Sequence, residues 1–195
     1  MNSLDKRIEY LGLADMDYLS ARLLLMSGLA TTGFPKAAEA FEKIFKLFLM
    51  LEAKISSNAE LTESDLKSYS HNLIKLFNEV KTKLPDTNFD SAWDDYLKTL
   101  QESYTRRYPE NWEEHHLTIY LDHLDEAYSY FRNNVTHNFP QEEQTRTKQF
   151  GTFIYDAYRG DVSKRIKKSG ALPPAEILKW KNHSLDNLNI DFESL

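Results

Sequence analysis

Six apolar side chains, Leu117, Leu121, Leu124, Tyr128, Phe131 and Val135, recur at spacings of 4, 3, 4, 3 and 4. Only an α-helix with one buried face satisfies that series, because a strand alternates every second residue. The same period runs through the preceding chain. Leu4, Ile8, Leu11, Ala14, Tyr18, Ala21 and Leu25 predict a first helix over 3–28. The cluster Thr31-Thr32-Gly33-Phe34-Pro35 is expected to break it. A second helix over 35–55 carries Ala37, Phe41, Ile44, Phe48, Leu51 and Ile55, with Phe45, Leu47, Leu49 and Met50 widening its apolar surface. That width marks it as the central core helix. Thr62-Glu63-Ser64-Asp65 resembles a helix start, and Leu66, Tyr69, Leu73, Leu76 and Val80 predict a third helix that Pro85 ends. A fourth, over 89–107, uses Phe89, Trp93, Leu97, Leu100 and Tyr104. The fifth starts at Asn111-Trp112-Glu113-Glu114 and carries the stripe from Leu117 to Val135. Short loops between helices of one period give an all-α, up-and-down bundle of five helices over residues 1–140. Residues 141–195 are expected to form a basic helical extension with a hinge at Gly170–Pro174.

Composition narrows the function classes. The chain has no Cys, which excludes disulfide frameworks and thiolate metal sites and suits a reducing compartment. Charged residues start at Asp5, Lys6 and Arg7, unlike a signal peptide, and the longest uncharged run, Leu23 to Pro35, spans only 13 residues. A cytoplasmic protein without a membrane partner is expected. The net charge of −6 disfavours non-specific duplex binding. The charge is uneven, however: residues 146–181 hold nine Lys/Arg against Asp156, Asp161 and Glu176, a local +6 that leaves −12 for the rest. Lys164, Arg165, Lys167 and Lys168 form the densest part and are the candidate RNA-backbone contacts; the plainer alternative is a solvated tail.

The fifth stripe ends in Arg132-Asn133-Asn134-Val135-Thr136-His137. Two Asn, two β-branched residues and Pro140 are expected to stop the helix there, with Arg132 and His137 both off the apolar stripe. Five residues on a straight helix place two side chains roughly 140° apart. They meet only if the last turn unwinds or a second copy supplies one of them across a two-fold axis. The residue types suit metal-independent RNA cleavage. The 2′-OH is RNA's own nucleophile, so the protein must supply a proton acceptor near neutral pH, His137, and a fixed cation for the phosphorane charge, Arg132. Asn133 would contact a phosphate oxygen or fix the His137 tautomer. His71, in His71-Asn72-Leu73, is expected in the core or at a cap.

The order of these segments resembles the HEPN family (higher eukaryotes and prokaryotes nucleotide-binding helical domains) over residues ~10–140. The segments are Ala14–Leu24 in the first helix, Ala38–Leu49 with its Glu42-Lys43 and Lys46 in the second, His71-Asn72-Leu73 in the third, and Arg-Asn-x-x-x-His ending the fifth. The resemblance implies a ribonuclease or toxin with Arg132 and His137 as the catalytic pair, Asn133 orienting, and no cofactor. It also implies a homodimer whose two motifs share one cleft acting on single-stranded RNA, and a nucleotidyltransferase-type antitoxin as partner. Such toxins can carry a modifiable Tyr two residues after the His; Phe139 stands there. Because some family members only bind or dimerise, a non-catalytic module for a nucleotide or partner is the alternative. A metal site from His115, His116 and His123 with neighbouring acids lacks the required helical spacing. A structural helical protein without a pocket completes the set.

Overall fold

The computed structural model describes residues 3–84, 91–105 and 121–147, and every regular element among them is helical. Helix α1 (Ser3–Met26) and helix α2 (Ala30–Ser57) form the longest hairpin. A short 3-10 helix (Asp65–Tyr69) leads into α3 (Leu73–Lys81), followed by α4 (Ser91–Thr105), α5 (Leu121–His137) and α6 (Gln141–Thr147). Helix α2 packs against α1, α3, α4 and α5, as its wide apolar surface predicts. Phe41, Phe45, Phe77 and Phe131 meet around it, Phe45 and Phe131 edge to face at 4.8 Å. The inward stripe of α1 from Ile8 to Leu25 is buried as expected. The predicted start of the fifth helix, with His115 and His116, and the basic segment beyond 147 lie outside the described residues.

Three boundaries differ from the sequence expectation, each for a physical reason. The α1–α2 turn falls at Ser27–Leu29, not at Thr31–Pro35. Gly28 adopts φ +75, its amide bonds Leu25 O at 3.0 Å, and the Leu29 amide reaches Leu24 O at 2.8 Å. That pair of bonds is a Schellman ending, which requires the left-handed residue. Pro35 then lies inside α2, five residues past its start, where its buried ring is tolerated although it removes one i→i−4 amide bond. Gly33 serves close packing: a Cβ there would lie 2.8 Å from Leu25 Cδ2.

The third pattern is two helices. Asp65 accepts from the amide and hydroxyl of Thr62, both at 2.7 Å, which fits the predicted start. The run then breaks at Ser70, and the Asn72 side chain caps α3 by accepting from the Lys75 amide at 2.8 Å.

Helix α5 continues through His137, past the expected stop. Its polar residues bond back along the helix: Ser129 Oγ to Asp125 O, Asn134 Nδ2 to Tyr130 O, and Thr136 Oγ1 to Arg132 O. The buried packing of Phe131 and Val135 overrides weak intrinsic propensity. Pro140 ends the run. Helix α6 folds back on α1 and α5, with Gln144 Nε2 donating to the freed Phe139 carbonyl at 3.1 Å.

Candidate functional site

Because the last turn of α5 stays wound, Arg132 and His137 point in different directions. His137 is exposed, whereas Arg132 is only 1% exposed. The expectation that Arg132 lies off the buried face is therefore corrected. Its guanidinium faces α1, where Nε donates to Asp15 Oδ1 at 2.8 Å and an Nη donates to Asp15 Oδ2 at 3.0 Å. The same nitrogen reaches the Thr147 carbonyl at 3.0 Å, so the end of α6 covers it. Asn133, beside it, is half-buried.

Asp15 is fully buried and accepts a further bond from the Tyr128 hydroxyl at 2.8 Å. A second cluster mirrors the first. Arg22 holds Asp125 through Nε at 2.8 Å and an Nη at 2.8 Å, and the Tyr18 hydroxyl donates to Asp125 at 2.6 Å. Between the clusters the rings of Tyr18 and Tyr128 stack at 4.3 Å, 3° from parallel. Two antiparallel helices thus exchange the same three contacts in reverse order.

This arrangement was legible but missed. Residues 15–22 and 125–132 both spell Asp-x-x-Tyr-x-x-x-Arg, a spacing of 3 and then 4 that puts all three side chains on one helical face. The apolar stripes hid it, because each Tyr also belongs to a stripe and Arg132 reads as lying off the buried face. Burial works against the charge on Arg132, but Asp15 more than offsets it and holds the guanidinium above its usual range. Arg22 is held up in the same way by Asp125 against the same burial. Two bidentate pairs with tyrosine donors satisfy the demand that buried charge be both paired and hydrogen-bonded.

Lys164, Arg165, Lys167 and Lys168 lie outside the described residues. Among the described residues no group of three or more His, Asp or Glu could hold a metal ion. His123 packs its ring on Tyr96 at 6.0 Å. No described helix is long and apolar enough to cross a membrane. His71, expected in the core or at a cap, is neither: Asn72 takes the capping role and the imidazole stands exposed. Comparison with known proteins adds no kinship, since no family model, no curated protein and no solved structure matches the chain.

Proposed function

We propose that this chain is a HEPN-like helical module that acts by binding a partner or nucleotide, without cutting RNA. One observation carries the reading: the only cation of the Arg-Asn-x-x-x-His segment is spent inside the bundle on Asp15. Stabilising a phosphorane requires a guanidinium at the scissile phosphate. Withdrawing Arg132 would leave Asp15 buried without its bidentate partner, a loss of about 3–5 kcal/mol. A conformer with Arg132 free is then rarer than the closed one by a factor of roughly 10²–10³ or more. The resemblance supplies the class of module, and the all-helical bundle is consistent with it.

The metal-independent ribonuclease is the second reading, favoured by the exposed imidazole of His137 on the last turn of α5. In that reading a homodimer brings two such turns together over single-stranded RNA. Incubating micromolar protein with mixed-sequence RNA and analysing the ends separates the two. Under the binding reading no 2′,3′-cyclic phosphate accumulates, while fluorescence anisotropy reports saturable binding of a labelled nucleotide or oligonucleotide. Cleavage in chelator that disappears in His137→Ala would reverse the order of the two readings.

A further inference from the structure

A third polar cluster lies where α2, the turn before α3 and the end of α4 meet. Glu42 and Lys46, one turn apart on α2, pair through Oε1 and Nζ at 2.6 Å. The other carboxylate oxygen of Glu42 lies 3.0 Å from His71 Nδ1. The Tyr104 hydroxyl lies 3.3 Å from the same nitrogen, and its ring packs on the imidazole at 5.0 Å. The side chains of Glu42 and Lys46 are 14% and 7% exposed, yet that of His71 is 58% exposed. A half-buried carboxylate therefore holds an open imidazole.

The backbone that presents His71 is strained. Ser70 adopts φ 46 and ψ −132, a conformation that L side chains rarely take and that costs on the order of 1–3 kcal/mol. On the other side the Leu73 amide is fixed by Gln101 Oε1 at 2.6 Å. The chain is pinned on both sides of the imidazole. With Nδ1–H donating to Glu42, the lone pair belongs to Nε2, the nitrogen away from the carboxylate.

We propose that His71 is a phosphoryl-accepting imidazole, a group-transfer site served by an external phosphoryl donor. A nucleophile ordinarily needs a base or charge partner that is itself oriented, and Glu42, held by Lys46, meets that need. The open setting suits a carrier, whose donor brings its own binding site, better than an enzyme, which must enclose its substrate. In the step, the Nε2 lone pair attacks phosphorus and the donor's leaving group departs with the bonding electrons. The new N–P bond leaves the ring cationic, and the Glu42 carboxylate beside Nδ1–H offsets that charge. With phosphoramidate the leaving group is ammonia, so atoms and charge balance without an oxidant or metal.

The test uses the full chain and potassium phosphoramidate. His137, also exposed, serves as the internal reference. Site-resolved mass spectrometry is expected to show acid-labile phosphate on His71 at least about tenfold faster than on His137. Glu42→Gln is expected to slow His71 labelling about 10–100-fold, the size of effect seen when a metal-bound imidazole loses its carboxylate partner. Its helicity is checked by circular dichroism, and the comparison within the wild-type chain needs no variant. Equal labelling rates at His71 and His137 would overturn the proposal. So would a folded Glu42→Gln protein labelled at His71 as fast as wild type.

Discussion

Replacing Arg132 with Ala separates a structural arginine from a catalytic one. The wild-type guanidinium makes two bonds to Asp15 and one to the Thr147 carbonyl, all inside the bundle. Removing it leaves a fully buried carboxylate beside the Tyr128 hydroxyl, together with the space of a large side chain. Breaking a buried pair from one side is destabilising by about 3–5 kcal/mol. For a chain of this size each kcal/mol lowers Tm by roughly 2–4 °C, so the expected fall is roughly 6–20 °C. Circular dichroism at 222 nm during heating, backed by urea titration, measures it. Loss of any activity in this variant would then report unfolding as much as chemistry. The paired variant Asp15→Leu with Arg132→Met sharpens the argument, because swapping both partners for apolar groups is often near neutral. The double variant should lose far less than the sum of the single ones. A drop below about 1 kcal/mol for Arg132→Ala, or additive effects in the double, would refute the claim that this pair is formed and buried.

Three further expectations follow from the same structure. His137→Ala should change stability by no more than about 0.5 kcal/mol in urea titration, since the side chain is exposed at a helix end. Gly33→Ala should lose about 0–2 kcal/mol by thermal melting. Overpacking against the buried Leu25, roughly 1–3 kcal/mol, outweighs a helix-propensity gain of roughly 1. Tyr96 and Tyr128 are pushed well above the usual phenol range, first by burial and then by Asp125 and Asp15 respectively. Their neutral forms favour the folded state, so stability should hold below about pH 10 and fall as pH rises from there toward their raised folded values. Tyrosine absorbance at 295 nm should show these two ionising only together with loss of helicity.

The sequence revealed most where one interaction dominates. Apolar periodicity alone located α1, α2, α4 and α5, because burying a stripe is a bulk property insensitive to a residue or two at the ends. Boundaries failed where a specific backbone bond decided the outcome. Gly28 rather than Gly33 ends α1, because φ +75 is needed only at the former. Ser70 splits the third pattern through a strained turn that no propensity favours. The site was harder still. Arg132 in isolation reads as a surface cation, and only its partner 117 residues away reveals that it is interior. Such pairings become visible when the spacing of Asp, Tyr and Arg on one helix is compared with that on another.

The matched triads of α1 and α5 also act as a polarity key. Laid antiparallel, Asp15 meets Arg132, Tyr18 meets Tyr128 and Arg22 meets Asp125. Laid parallel at the same crossing, Asp15 would face Asp125 and Arg22 would face Arg132, four interior charges with no counter-ion. An apolar seam of similar shape would tolerate both directions; this one rejects the reversed bundle outright. Since its members are over 100 residues apart, the key turns late, after the α1–α2 hairpin has formed from local contacts. A chain with α5 inserted backwards would carry these charges unpaired in its interior and lie well above the native arrangement in free energy.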